Sequence, residues 1–211
     1  QKAVENTRQL LEADKVFMIY NSTGTAQTAA ILPLIKEHRT PLFGPVTGAS
    51  VFRETFNPYV FHVRAGYASE ASRIVSQMRQ QGISRVAVFY QDDGLGKTLA
   101  AELKKASDDE KLPFVAEIKV DPKQPDFAAA AAATEKAQPQ AVIVATAGTT
   151  FTHYIKAVQA TAARPAYYGF SVASLDVINR ELKDKARGII LAQIMPSLRN
   201  TTIPVVAEYL S

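Results

Sequence analysis

A chain of 211 residues, 47% hydrophobic and 21% charged, has the balance of a globular protein rather than of a disordered or fibrous one. Length alone admits one large domain or two small ones. With 24 basic and 20 acidic residues the net charge is +4, a mild excess scattered along the chain, whereas nucleic-acid binders gather theirs on one face. The sequence has no cysteine, which removes disulfides, thiolate metal sites and a cysteine nucleophile. No apolar run approaches the roughly 20 residues of a membrane span. Neither nucleic-acid binding nor a membrane-spanning role is therefore expected. Gln1 opens directly on a helical pattern (Val4, Leu10, Leu11), and Ser211 follows an unfinished amphipathic stretch (Val205, Val206, Tyr209, Leu210). Both ends read as cut, so the absence of a signal peptide leaves export open.

In chain order, short apolar runs alternate with helical patterns. Strands are expected over Val16–Tyr20, Pro41–Gly44, Val60–Val63, Val86–Tyr90, Phe114–Val120, Ala141–Ala145, Ala166–Gly169 and Gly188–Ala192. Most lack polar alternation, as strands covered on both faces do. Between them lie core-facing helical stripes: Ala71, Ile74, Val75 and Met78; Leu95, Leu99, Leu103 and Ala106; Tyr154, Ile155 and Val158. Lys36, His38 and Arg39 are read as ending one helix and Lys104 and Lys105 another, where cations suit the dipole. Gly82 is placed to end the first stripe, and Pro165 follows the last. Pro33, inside the Ala26–Arg39 pattern, predicts a kink or a late helix start. The run Ala128–Ala133 reads as an ordinary helix capped by Asp126.

This alternation predicts an α/β fold of parallel sheets built from right-handed βαβ units. Five strands and four helices from Val86 to Ala192 suffice for a complete doubly wound lobe. Before Tyr59 there are only two convincing strands, too few to bury both faces of a sheet. The expected division is residues 1–64 as part of an N-terminal lobe, 65–192 as a C-terminal lobe, and 193–211 as a return crossing. Val60–Ala65 and Gln193–Ser197 are the expected crossing points.

Several motifs invite chemistry and fail on inspection. Asp92-Asp93-Gly94-Leu95-Gly96-Lys97-Thr98 follows a strand and opens a helix, but Gln91 stands where a phosphate loop needs its first glycine, and two aspartates repel an anion. Leu99 likewise occupies the third glycine of a dinucleotide fingerprint. The aspartates are read as a helix cap and loop solvation. His38, His62 and His153 lack the spacing of a helical metal pair, and no Gly-x-Ser-x-Gly elbow occurs. No cofactor, metal or enzymatic activity is expected. What remains are hydroxyl- and glycine-rich turns directly after strands: Asn21–Thr25, Pro45–Ser50, Gln91–Gly96 after Tyr90, Thr146–Thr150, and Phe170-Ser171. In open α/β sheets the ligand crevice lies at these carboxyl ends, and free N–H groups over helix N-termini suit a carboxylate.

The stretches Gln27–Gly48, Arg85–Gly96 and Gly188–Pro196, with Ile203-Pro204-Val205 following, resemble the type I periplasmic solute-binding receptors of ABC importers, in the branched-chain amino acid (LIV-binding-protein-like) family. The resemblance covers essentially the whole chain. It implies two flavodoxin-like lobes, a hinge of crossing strands, export to the periplasm, an ABC transporter permease as partner, and closure around a small-molecule carboxylate or amino acid. Residue by residue, it implies that Asn21, Thr23, Thr47, Gly48 and Ala49 clamp a ligand carboxylate from the first lobe. From the second lobe, beside Tyr90, Leu95 stands where the family commonly has an aromatic residue. Thr149 or Thr150 stands where a tyrosine is frequent, and Ser171 where amino-acid binders place an acid. Without that acid an ammonium group is poorly compensated, so a carboxylate lacking the amine fits better. Thr47→Val is expected to weaken binding with little loss of fold. A ligand-sensing regulator with the same two-lobe body is the alternative, which the sequence does not separate from a transport receptor.

Overall fold

The computed structural model describes residues 2–197 and 199–211; Gln1, from which the opening helical pattern was read, lies outside them. Two parallel sheets organise the chain. Strands β1 (Ile19–Tyr20), β2 (Leu42–Phe43) and β3 (Val60–Phe61) pair in that order. Strands β4 (Val86–Gln91), β5 (Phe114–Val120), β6 (Ala141–Ala145), β7 (Ala166–Gly169) and β8 (Ile189–Leu191) form the second sheet in the order β5-β4-β6-β7-β8. That is the flavodoxin-like strand order, whose reversal point falls between β4 and β6. The helices are α1 (Lys2–Glu12), α2 (Thr25–Glu37), α3 (Tyr67–Gln80), α4 (Gly94–Asp109), α5 (Phe127–Ala137), α6 (Gly148–Gln159), α7 (Leu175–Leu182) and α8 (Pro204–Leu210).

At the edge of the second sheet β5 alternates and exposes Glu117 and Lys119, while the inner strands β4, β6 and β7 are covered on both faces, which is why they read as unbroken apolar runs. The period of two sorts them: Val86 and Val88 pack with Ile74, Val75, Met78, Leu99 and Leu103 of α3 and α4. Ala87 and Phe89 pack on the other side with Ala130, Phe151, Tyr154 and Ile155 of α5 and α6. Phe89 stacks on Tyr154 at 3.7 Å between ring centroids, and the buried Tyr154 hydroxyl meets the Thr134 Oγ1 at 2.6 Å. Asp126 caps α5 through the N–H of Ala129, and Gly82 (φ 73°) follows the end of α3, both as expected.

The first sheet differs. Ile19 and Leu42 bury against Leu11, Ile31, Leu34 and Ile35 of α1 and α2. On its other face Tyr20, Phe43 and Phe61 stand 68%, 38% and 47% exposed, stacked at 6.2 and 6.5 Å. The pairing is also shorter than the apolar runs predicted: Val16–Met18 and Val63 lie outside it, and Phe17, Met18 and Val63 are exposed, so here an apolar run marks neither burial nor a neighbouring strand. β3 pairs with β2 and not with the larger sheet.

Two helical expectations are narrowed or changed. Of the kink or late start expected at Pro33 the late start does not occur: α2 begins at Thr25 and runs through Pro33 to Glu37. α4 continues past Lys104 and Lys105 to Asp109, and Lys104 pairs one turn on with Asp108 instead of ending the helix.

The glycine that suggested a phosphate loop has a packing origin. A Cβ on Gly96 would lie 2.0 Å from the carbonyl oxygen of Gln91, so only glycine lets α4 fold back so closely on the end of β4. Gly96→Ala is expected to destabilise the protein by about 2 kcal/mol or more, read from the midpoint of urea unfolding. An unchanged midpoint would remove this close approach as a constraint.

Candidate functional site

The turns after β1 and β2 are zipped together. Thr23 bridges Val46 in parallel register, the N–H of Val46 donates to Ser22 O at 2.7 Å, and the N–H of Gly24 to Val46 O at 3.3 Å. Asn21 takes the left-handed backbone (φ 59°) that asparagine tolerates and is exposed, as is Thr23. Thr47 is wholly buried. Its hydroxyl meets that of Thr25 at 2.9 Å and accepts the N–H of Ala49 at 3.3 Å. Thr47 thus holds the turn from within, with its neighbours Gly48 and Ala49 also buried.

Gly48 connects this turn to the larger body. A Cβ there would lie 2.7 Å from Tyr67 Cδ1 and 2.8 Å from Tyr67 N, while the N–H of Tyr67 donates to Gly48 O at 2.7 Å. Tyr67, the first residue of α3, is 1% exposed and meets Phe170 edge-on at 6.1 Å. A second link runs through α2 and α4: a Cβ on Gly94 would sit 3.5 Å from that of Ala26. Ser50 Oγ also donates to Glu102 at 2.5 Å.

The strongest polar feature is one the sequence reading missed. Arg64, at the end of the crossing from β3, donates to Glu70 at 2.7 Å, with side chains only 7% and 3% exposed. Glu70 also accepts the backbone N–H of Ser171 at 2.8 Å and its hydroxyl at 3.0 Å. The Arg64 guanidinium lies 4.9 Å over the Tyr67 ring. Arg53 donates to Arg64 O at 2.9 Å and reaches Thr47 O at 3.5 Å. Its pKa is lowered by burial and by the nearby Arg64 charge. The signal was available: the α3 stripe of Ala71, Ile74, Val75 and Met78, extended back one turn, lands on Tyr67 and Glu70. An acid on a buried stripe calls for a partner.

On the larger sheet, Thr146 Oγ1 donates to Gln91 Oε1 at 2.6 Å, joining the ends of β4 and β6 at the strand-order reversal. Asp93 caps α4 by accepting the N–H of Gly96. Asp92 pairs with Lys97 and Lys119, and the Lys97 contact holds its carboxyl below the usual range. Tyr90 and Leu95 are half-buried against the α3/α4 core. Thr149 is exposed and Thr150 half-buried in the first turn of α6. Among the described residues no hydrogen bond joins either threonine to the first-sheet turns, whereas Ser171 is tied to Arg64 and Glu70. α2, α3 and α6 begin at Gly24, Gly66 and Ala147 without a side-chain cap; the first N–H of α3 is taken by Gly48 O, while the uncapped first turns of α2 and α6 keep donor capacity. Among the described residues no cluster of His, Asp and Glu has metal-binding form; His153 packs edge-on against Phe127, and His38 lies 3.7 Å from Glu12.

The sequence profile of the periplasmic binding protein family matches residues 1–203. No curated protein matches the chain. Among solved structures, a substrate-binding periplasmic protein from Ralstonia solanacearum superposes with a TM-score of 0.88 at 25% identity, over 99% of this chain and 60% of its own. A branched-chain amino acid ABC transporter protein from Thermus thermophilus with bound valine gives 0.81 at 17% identity, over 90% and 50%. A solute-binding protein of an ABC transporter from Rhodopseudomonas palustris BisB5, in complex with 3,4-dihydroxybenzoic acid, gives 0.70 at 24% identity, over 81% and 47%. The chain thus spans about 60% of the length of the first of these relatives.

Two outcomes follow from this geometry. Thr47→Val strands the buried Thr25 hydroxyl and the Ala49 N–H. It is therefore expected to cost about 1–3 kcal/mol of stability in urea unfolding, a larger effect on the fold than the sequence suggested. His62 donates from Nε2 to Phe52 O at 3.0 Å, while its buried Nδ1 has no partner among the described residues. Burial, with Arg53 nearby, lowers its pKa. The unfolded chain therefore takes up the His62 proton first as pH falls, and stability declines from the ordinary histidine pKa of about 6.5 down through the lowered value. His62→Gln is expected to flatten that slope in thermal unfolding followed from pH 7.5 to 5.5 (conditions of roughly neutral to mildly acid buffer).

Proposed function

Because the chain belongs to the periplasmic binding protein family, we propose that it acts as an extracytoplasmic solute-binding receptor, capturing a small carboxylate or amino-acid-like ligand for an ABC importer. The observation that carries this reading is the junction of strand-end turns. The Gly48 turn of the first sheet docks on the start of α3, and the Ser171 turn of the second is fastened to the same helix through Glu70. Polar turns from both sheets thus meet on one helix, and a crevice between them at the carboxyl ends of the strands is where an open α/β fold would take its ligand. Residues 1–64 and 65–192 act as the two lobes, and 193–211 as a return crossing.

Asn21 and Thr23 offer side-chain polar groups and Gly48 a backbone N–H from the first side, with Ala49 forming the wall behind them and Thr47 holding the turn in shape. Tyr90, Leu95, Thr149, Thr150 and Ser171 face the ligand from the second. The ligand shifts the lobes toward a closed form by binding that form more tightly, and no bond in it is broken. The loaded receptor then docks on the importer's permease. Relatives described with valine and with 3,4-dihydroxybenzoic acid support both ligand classes.

The test uses the full-length protein, unfolded and refolded to strip bound molecules. Titration calorimetry against amino acids and aromatic or aliphatic carboxylates is expected to find a saturable ligand. Small-angle scattering is expected to show a smaller radius of gyration on its addition. Absence of binding across the panel, or turnover of a bound compound, would overturn the receptor reading.

A further inference from the structure

Ser171 lies in the turn after β7, where an ammonium-bearing ligand would need an acid. The structure supplies one, Glu70, but its carboxylate is already occupied. One oxygen accepts the Arg64 guanidinium at 2.7 Å and the Ser171 hydroxyl at 3.0 Å, and the other accepts the Ser171 N–H at 2.8 Å. The pair is nearly inaccessible, so water screens it little. Arg64 in turn also reaches Ser171 Oγ at 2.9 Å and covers the Tyr67 ring.

Within this hydrogen-bonded cluster the balance of charge is positive. Arg53, bonded to Arg64 O and Thr47 O, has no acidic partner among the described residues and brings a second positive charge to the turn that carries Gly48. Two guanidinium groups, Arg53 and Arg64, and one carboxylate, Glu70, therefore belong to one hydrogen-bonded cluster. A ligand ammonium entering here meets surplus positive charge, and to claim Glu70 it must displace Arg64, leaving a buried guanidinium without a partner. A ligand carboxylate meets the opposite situation: the excess positive charge attracts it, and no internal bond need break.

We propose that Glu70, held by Arg64 against Ser171, is a specificity-determining residue that selects carboxylates with an uncharged remainder over their α-amino counterparts. This rests on the receptor reading above and deepens it. Neither residue needs to touch the ligand: both are positioning residues that fix the charge of the wall on which Ser171 sits. The sequence expectation at Ser171 rested on a missing acid. Here an acid is present and its charge is cancelled.

The experiment compares matched pairs on the stripped full-length protein by calorimetry: valine against isovalerate, phenylalanine against hydrocinnamate, tyrosine against phloretate. In the pair that binds, the deaminated acid is expected to be favoured by about tenfold or more. Arg64→Gln frees the Glu70 carboxylate, and the preference is expected to shift by about tenfold toward the amino acid. A purely structural loss would weaken both members alike. Should that variant fail to fold, the wild-type ratio still decides. An amino acid bound as tightly as its deaminated twin, or more tightly, overturns the inference and leaves the receptor standing. Failure of every pair, with the calorimetric panel also empty, overturns the receptor reading and this inference with it.

Discussion

One aromatic ring holds the two parts of the molecule in register. Tyr67 is buried at the first position of α3. Its backbone N–H reaches the carbonyl of Gly48, and its ring edge meets Phe170. Close packing tolerates little variation at such a junction, and a side chain at position 48 would collide with the ring itself. The turn following β2 and the turn following β7, some 120 residues apart along the chain, therefore meet on this ring, and the chain of bonds from Thr47 through Arg53 and Arg64 to Ser171 ties them a second time.

The ion pair beside that ring adds specificity more than stability. Two charges taken from water recover their solvation only when every hydrogen-bonding site is used. Exchange of such a pair for apolar groups is often neutral, while removal of one partner typically costs about 3–5 kcal/mol. Here the recovery is thorough: Glu70 accepts from three donors, and Arg64 lies over a π-face as well. Such an arrangement fixes which chain segments meet. It also fixes a local charge that a partner or ligand encounters.

The larger sheet was legible because its physics is local. Runs such as Val86–Phe89 and Ala141–Ala145 are apolar throughout since helices cover both faces, and the caps at Asp126 and Gly82 lie a few residues from the ends they close. The small sheet was legible only in outline. Val16–Met18 looks like strand, yet pairing begins at Ile19, where β2 becomes available. The strand-end turns were read as a set, but their internal bonding was not. The burial of Thr47 depends on Thr25, and the neutralisation of Glu70 depends on Arg64 and on a serine more than a hundred positions away. Long-range partners of this kind leave no periodic trace.

The row of Tyr20, Phe43 and Phe61 has a practical bearing. Stacked rings spanning three strands and open to water form a sticky ribbon of the kind that draws molecules together. An open apolar face of this kind favours self-association as concentration rises, and a lysine or glutamate set among the rings is the natural remedy for keeping the material monodisperse.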